Sequence, residues 1–141
     1  MELAPAPTLG THARLRSYTL ARDGDTLQLG LTWEVLQPLL PPHHIFVHAD
    51  LEDANTGITR TIAQADGPPF TPAGAAPTGS WLAGEYVTTL HTLTLPAAQA
   101  GEGPITLRVG LYEPQSLVRL PVSLNGEAVG DSIEISTLET R

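Results

Sequence analysis

The chain contains no cysteine, which removes disulfides, thiolate metal sites and thiol nucleophiles from consideration together. Aromatic residues are scarce at 5%: two tryptophans, three tyrosines and two phenylalanines, so each large ring can be accounted for individually. Basic residues are few as well. Seven Lys plus Arg face fifteen Asp plus Glu, a formal charge of −8, and the seven form no cluster. Such a surface repels phosphate backbones and anionic lipid, which argues against a nucleic acid partner. No apolar run approaches the roughly 18 residues that a membrane span requires, so direct membrane insertion is not expected. The opening MELAPAPTLGTH has neither a basic n-region nor an apolar h-region. The expectation is a soluble chain without an export signal, either cytoplasmic or a piece of a longer protein whose topology is decided elsewhere.

What is present favours strands. A chain of 141 residues fits one domain, large enough to bury roughly 68% of its unfolded surface without a covalent staple. Thirteen glycines and thirteen prolines with only 16% charged residues suit a turn-rich all-β domain better than a helical one. Residues 1–12, with Pro5, Pro7 and Gly10, read as a linker or extended lead-in, and 13–141 as the single domain. Leu15 to Ala21 and Thr26 to Val35 form a hairpin pattern around Asp23-Gly24. In the second arm Leu27, Leu29, Leu31, Trp33 and Val35 share one face, which predicts a buried Trp33. Pro38, Pro41 and Pro42 end that strand. His44 to Asp53 follows, with Ile45, Val47, Ala49 and Leu51 inward and His44, Phe46, His48 and Asp50 on the opposite face.

After a turn at 53–57, Ile58 to Ala65 returns as a strand. Residues 66–84, with four prolines, form the longest loop, and loops of that length are where binding surfaces are sought first. Tyr86 to Leu95 is the next strand, and 97–103 reads as a loop with one helical turn. Ile105, Leu107, Val109 and Leu111 then alternate in a core strand, and Leu117 to Val122 is expected to return beside it. Asn125-Gly126 marks a tight turn before a last strand around Ile133 and Ile135. About eight strands without a helix of ordinary length predict a two-sheet antiparallel sandwich, immunoglobulin-like or fibronectin-III-like, with a jelly roll as the alternative.

A set of segments carries a resemblance: Pro77-Thr78-Gly79-Ser80-Trp81, Gly84-Glu85-Tyr86-Val87, Leu93-Thr94-Leu95-Pro96, Leu107 to Pro114, and Arg119-Leu120-Pro121. Together with Leu29 to Trp33 and Ile45 to His48, they resemble the C-terminal β-sandwich tail domain of bacterial multi-pass membrane glycosyltransferases. These are of the protein O-mannosyltransferase-like kind, which use lipid-linked sugar donors. The chain departs from that pattern at Ala83, Thr89 and Ser116-Leu117, where the family usually turns through Thr-Gly. The resemblance implies an appended, non-catalytic domain on the extracytoplasmic side, with the membrane-embedded part of the parent transferase as partner. It transfers no catalytic residue.

The candidate chemistry is thin. His43, His44 and His48 with Asp50 and His91 invite a metal reading, but His44 and His48 lie about 13 Å apart along one strand face, too far to grip one ion. No metal and no cofactor is therefore expected. Asp53 and Asn55 beside Glu52 could offer oxygens to calcium, yet Asx residues also occupy turns for backbone reasons alone. Glu34, Glu85 and Glu113 are the carboxylates near strands and sit at polar-face or turn positions, with no pair across a cleft. Ser80 lacks a nucleophile-elbow context. Enzymatic activity is not expected. The aromatics are the better lead: Trp81, Phe70 and Tyr86 in or beside the 66–84 loop could bind a glycan by stacking, as in a carbohydrate-binding module. The competing expectation is that Trp81 folds back to cap the end of the sandwich.

Overall fold

The computed structural model describes residues 1–97 and 102–138. Twelve strands follow in order: β1 Thr8–Leu9, β2 Ala13–Asp23, β3 Thr26–Val35, β4 His44–Asp53, β5 Thr59–Gln64, β6 Phe70–Thr71, β7 Gly74–Ala75, β8 Tyr86–Thr94, β9 Glu102–Tyr112, β10 Val122–Leu124, β11 Glu127–Gly130 and β12 Ile133–Leu138. Among the described residues one 3-10 turn, Thr78–Ser80, precedes β8. The strands build an all-β antiparallel sandwich of two main sheets. One is ordered β11-β10-β1-β2-β3-β8 and the other β12-β9-β4-β5, with β6 and β7 as a separate small hairpin.

Turn chemistry sets the local pairings. Gly24 takes φ +60 between the paired Asp23 and Thr26, and Asn125 and Gly126 take φ +50 and +84 between Leu124 and Glu127. Both are positive-φ hairpin turns of the kind that matches strand twist. The core follows the alternation. Leu27, Leu29, Leu31, Trp33 and Val35 of β3 are buried with Ile45, Val47, Ala49 and Leu51 of β4 and Ile105, Leu107, Val109 and Leu111 of β9. Each of the buried Leu, Ile and Val side chains contributes about 1.5–3 kcal/mol by burial.

Three features differ from the sequence reading. The lead-in is extended, as expected, but it is not free. Leu9 is wholly buried, β1 pairs with both β2 and β10, and Leu3 and Tyr18 complete backbone hydrogen bonds to Arg16 and Met1. Leu117 to Val122 returns beside β9 only briefly, starting from the Glu113 N–H on the Val118 carbonyl, and adds no full strand to that sheet. Arg119 makes one bridge to Tyr112 and the Leu120 N–H bonds to the Leu111 carbonyl, after which Val122 pairs with Leu9 in the opposite sheet. Pro121 has no N–H to continue the ladder, and the chain crosses there. The strand count exceeds eight because short pieces such as β1, β6, β7 and β11 carry no readable period. The helical turn expected within 97–103 falls mainly on residues outside the described ones.

Candidate functional site

The long segment between β5 and β8 is fastened rather than open. Thr78, fully buried, donates its hydroxyl to the Leu39 carbonyl and accepts the His43 N–H, both at 2.9 Å. Trp81 is 2% exposed, its ring centroid 6.2 Å from that of Trp33, and its indole N–H donates to the Ala76 carbonyl at 2.8 Å. Trp81 therefore cannot offer a face to a sugar, which corrects its reading as a stacking platform and agrees with the capping alternative. Phe70 on β6 and Tyr86 at the start of β8 are exposed, at 52% and 59%. Tyr86 borders a cleft of about 480 Å³ made with Glu2, Leu3, Pro5 and Arg16. The three rings sought together in sequence are thus one internal and two external, and do not make one aromatic platform.

The histidines separate in the same way. His43 is buried with Nδ1 against the Pro41 carbonyl, His44 lies edge-on to Tyr112, and His48 points its Nε2 at Asp66 from 3.3 Å. His91 belongs to β8 in the other sheet. No three His, Cys, Asp or Glu side chains converge among the described residues. His91 has a different environment: Trp33 Nε1–H donates to Thr89 Oγ1 at 3.0 Å, and Thr89 Oγ1 lies 2.8 Å from His91 Nε2. Indole is donor-only, so the wholly buried Thr89 accepts from it, and the same hydroxyl pairs with the neutral His91 ring. Burial pushes the His91 imidazole down to about 4.

Asp53 and the strand-side carboxylates Glu34, Glu85 and Glu113 have structural work. Asp53 Oδ1 accepts the N–H groups of Asn55 and Thr56, and these backbone bonds, Thr56 first, hold its acid below the ordinary value. Glu113 accepts from Gln115 and Ser116 and is lowered chiefly by the Gln115 N–H. Glu85 accepts the Leu82 N–H, Glu34 pairs with Arg14 and Arg16, and Ser80 donates to the Pro77 carbonyl. Each is a turn brace or a surface ion pair.

The outer face of the β12-β9-β4-β5 sheet holds what the sequence reading missed. Phe46 is only 2% exposed although it points away from the core. It lies against Gly110, where a Cβ would clash with the ring, and the Arg119 guanidinium covers it at 4.1 Å. Tyr112 and His48 flank the ring, with centroids 6.3 and 5.1 Å from it. Burial, and then the charge of Asp66, raise the Tyr112 phenol, so it remains a protonated donor. A groove of about 210 Å³ runs over this group, edged by Asp66 and Leu117. The outward row of β4 was visible in the alternation, but its cover comes from Arg119, far along the chain, and carries no local pattern. Comparison of the chain with family models, with curated proteins and with solved structures gives no match.

Proposed function

We propose that the chain is a non-catalytic accessory β-sandwich, appended to a membrane-embedded glycosyltransferase on its extracytoplasmic side. The observation that carries this reading is the commitment of the acid–base candidates: Glu34, Glu85, Glu113, Asp53 and Ser80 each serve a turn or an ion pair. A general acid or base needs a free carboxyl or imidazole facing a place where a reacting atom could sit. None of these side chains has that geometry. The segment resemblance supports the choice of parent, and the fastened 66–84 segment supports a structural rather than a gripping role for that loop.

The test uses the complete natural gene product in cells. Protease added to intact spheroplasts is expected to release this domain, and glycosyl transfer from a lipid-linked donor in isolated membranes is expected to survive simultaneous Glu34→Gln, Glu85→Gln and Glu113→Gln changes. Protection of the domain until the membrane is opened would contradict the placement. Loss of transfer with the domain still folded would contradict the non-catalytic role.

A further inference from the structure

The groove over Phe46 has recognition chemistry left over. A guanidinium carries five N–H donors, and the hydrogen bond of Arg119 within the described residues goes to Asp131 alone, at 3.3 Å. The two oxygens of Asp66 share a single His48 nitrogen at 3.3 and 3.4 Å, leaving most of its acceptor capacity unused. Tyr112 adds a hydroxyl whose contact among the described residues is a long one, 3.4 Å to His44. Donors, acceptors and an apolar floor therefore meet in one depression.

A second observation is independent of the first. Leu117 takes φ +63, a left-handed conformation that a branched side chain adopts at a cost, and its side chain is 70% exposed on the lip of the groove. The turn from Glu113 to Val118 fixes this backbone, with the Leu117 N–H on the Glu113 carbonyl at 2.7 Å, and glycine would fill the position without strain. Strained residues of this kind persist where a position serves something other than stability.

We propose that this groove binds one neutral, polyhydroxylated ring of hexose size, with Asp66 and Arg119 engaging neighbouring hydroxyls and Leu117 covering an apolar face of the ring. Charge decides the class. An anion would meet Asp66, a cation would meet Arg119, and an apolar ring would strip water from both without replacing it. Hydroxyl groups, which donate and accept, satisfy both. At about 210 Å³ the space is below the roughly 300–1,000 Å³ of drug-sized sites, which limits the occupant to a single ring. The proposal goes beyond the accessory role and does not depend on it: an empty groove would leave that role standing.

The experiment is an amide NMR titration of the folded chain with methyl glycosides of glucose, mannose, galactose and N-acetylglucosamine, each separately, with acetate and methylammonium as charged comparators. At least one glycoside is expected to give saturable shifts at Phe46, His48, Tyr112 and Leu117 with a millimolar Kd. Asp66→Asn should weaken it about fivefold, the equivalent of one hydrogen bond. Leu117→Gly should weaken binding without lowering Tm, and the Trp33 and Trp81 indole signals should report an intact fold in both variants. Three results would each overturn the proposal: no saturable shift with any glycoside, acetate or methylammonium moving the same amides more strongly, or both variants binding like the parent.

Discussion

Two aromatic groups lie at different depths of the same sandwich. Trp33 and Trp81 meet inside, the first with its N–H on the buried Thr89 hydroxyl and the second with its N–H on the partly buried Ala76 carbonyl, and together they close the end of the core. Phe46, Tyr112 and Arg119 meet on the outer face, where the cover is a charged side chain held by one exposed ion pair. The difference is one of reversibility. Displacing Trp81 would open a cavity, whereas moving Arg119 exposes only a ring and a guanidinium to water.

Core substitutions should have the largest effect. Trp33→Asp or Val109→Asp places an unpaired carboxylate among wholly buried side chains, costing several kcal/mol against a total of about 5–15. Circular dichroism melts are expected to show no cooperative transition, and an unchanged melt would remove these residues from the core.

The internal group also makes stability depend on pH. The folded His91 sits near 4 against 6.5 when free, so its contribution is complete above pH 6.5 and is lost as pH falls towards 4. The shift corresponds to about 3 kcal/mol. His91→Gln, whose side-chain amide can still pair with Thr89, should flatten denaturant midpoints between pH 7 and 4. A parallel fall in parent and variant would assign the loss elsewhere. Asp53 and Glu113, held below their ordinary values, add further losses only from about pH 4.5 downward.

Smaller effects belong to the outer face. Gly110→Ala forces the Phe46 ring off the sheet and should cost about 1–3 kcal/mol, with loss of the upfield ring-current shifts around it. Leu117→Gly relieves the left-handed strain but loosens the unfolded chain, so it should stabilise by no more than about 1 kcal/mol. Clear destabilisation would mean that the leucine packs.

How much of this was legible in the sequence depends on range. Period-two runs such as Leu27 to Val35 and Ile105 to Leu111 disclosed which side chains enter the core, because alternation is imposed by neighbouring residues. Asn125-Gly126 disclosed its turn for the same local reason. The docking of Leu9 between β2 and β10 and the roof of Arg119 over Phe46 depend on partners far apart in the chain, and two-residue strands have no period to read. Trp81 stood between a cap and a platform in the sequence because both uses place a tryptophan beside a Pro/Gly-rich loop. Its indole bond to Ala76 separates them.

The central claim is that Trp81 belongs to the interior and the outer groove to the surface. Denaturant unfolding of Trp81→Ala tests it most directly, combined with a glycan titration of the parent followed by amide NMR. The variant is expected to lose about 3–5 kcal/mol through lost burial and a residual cavity, while glycan-dependent shifts in the parent stay away from residues 66–84 beyond Asp66 itself. An unchanged unfolding midpoint, with glycan shifts confined to the 66–84 segment and abolished by the substitution, would contradict it.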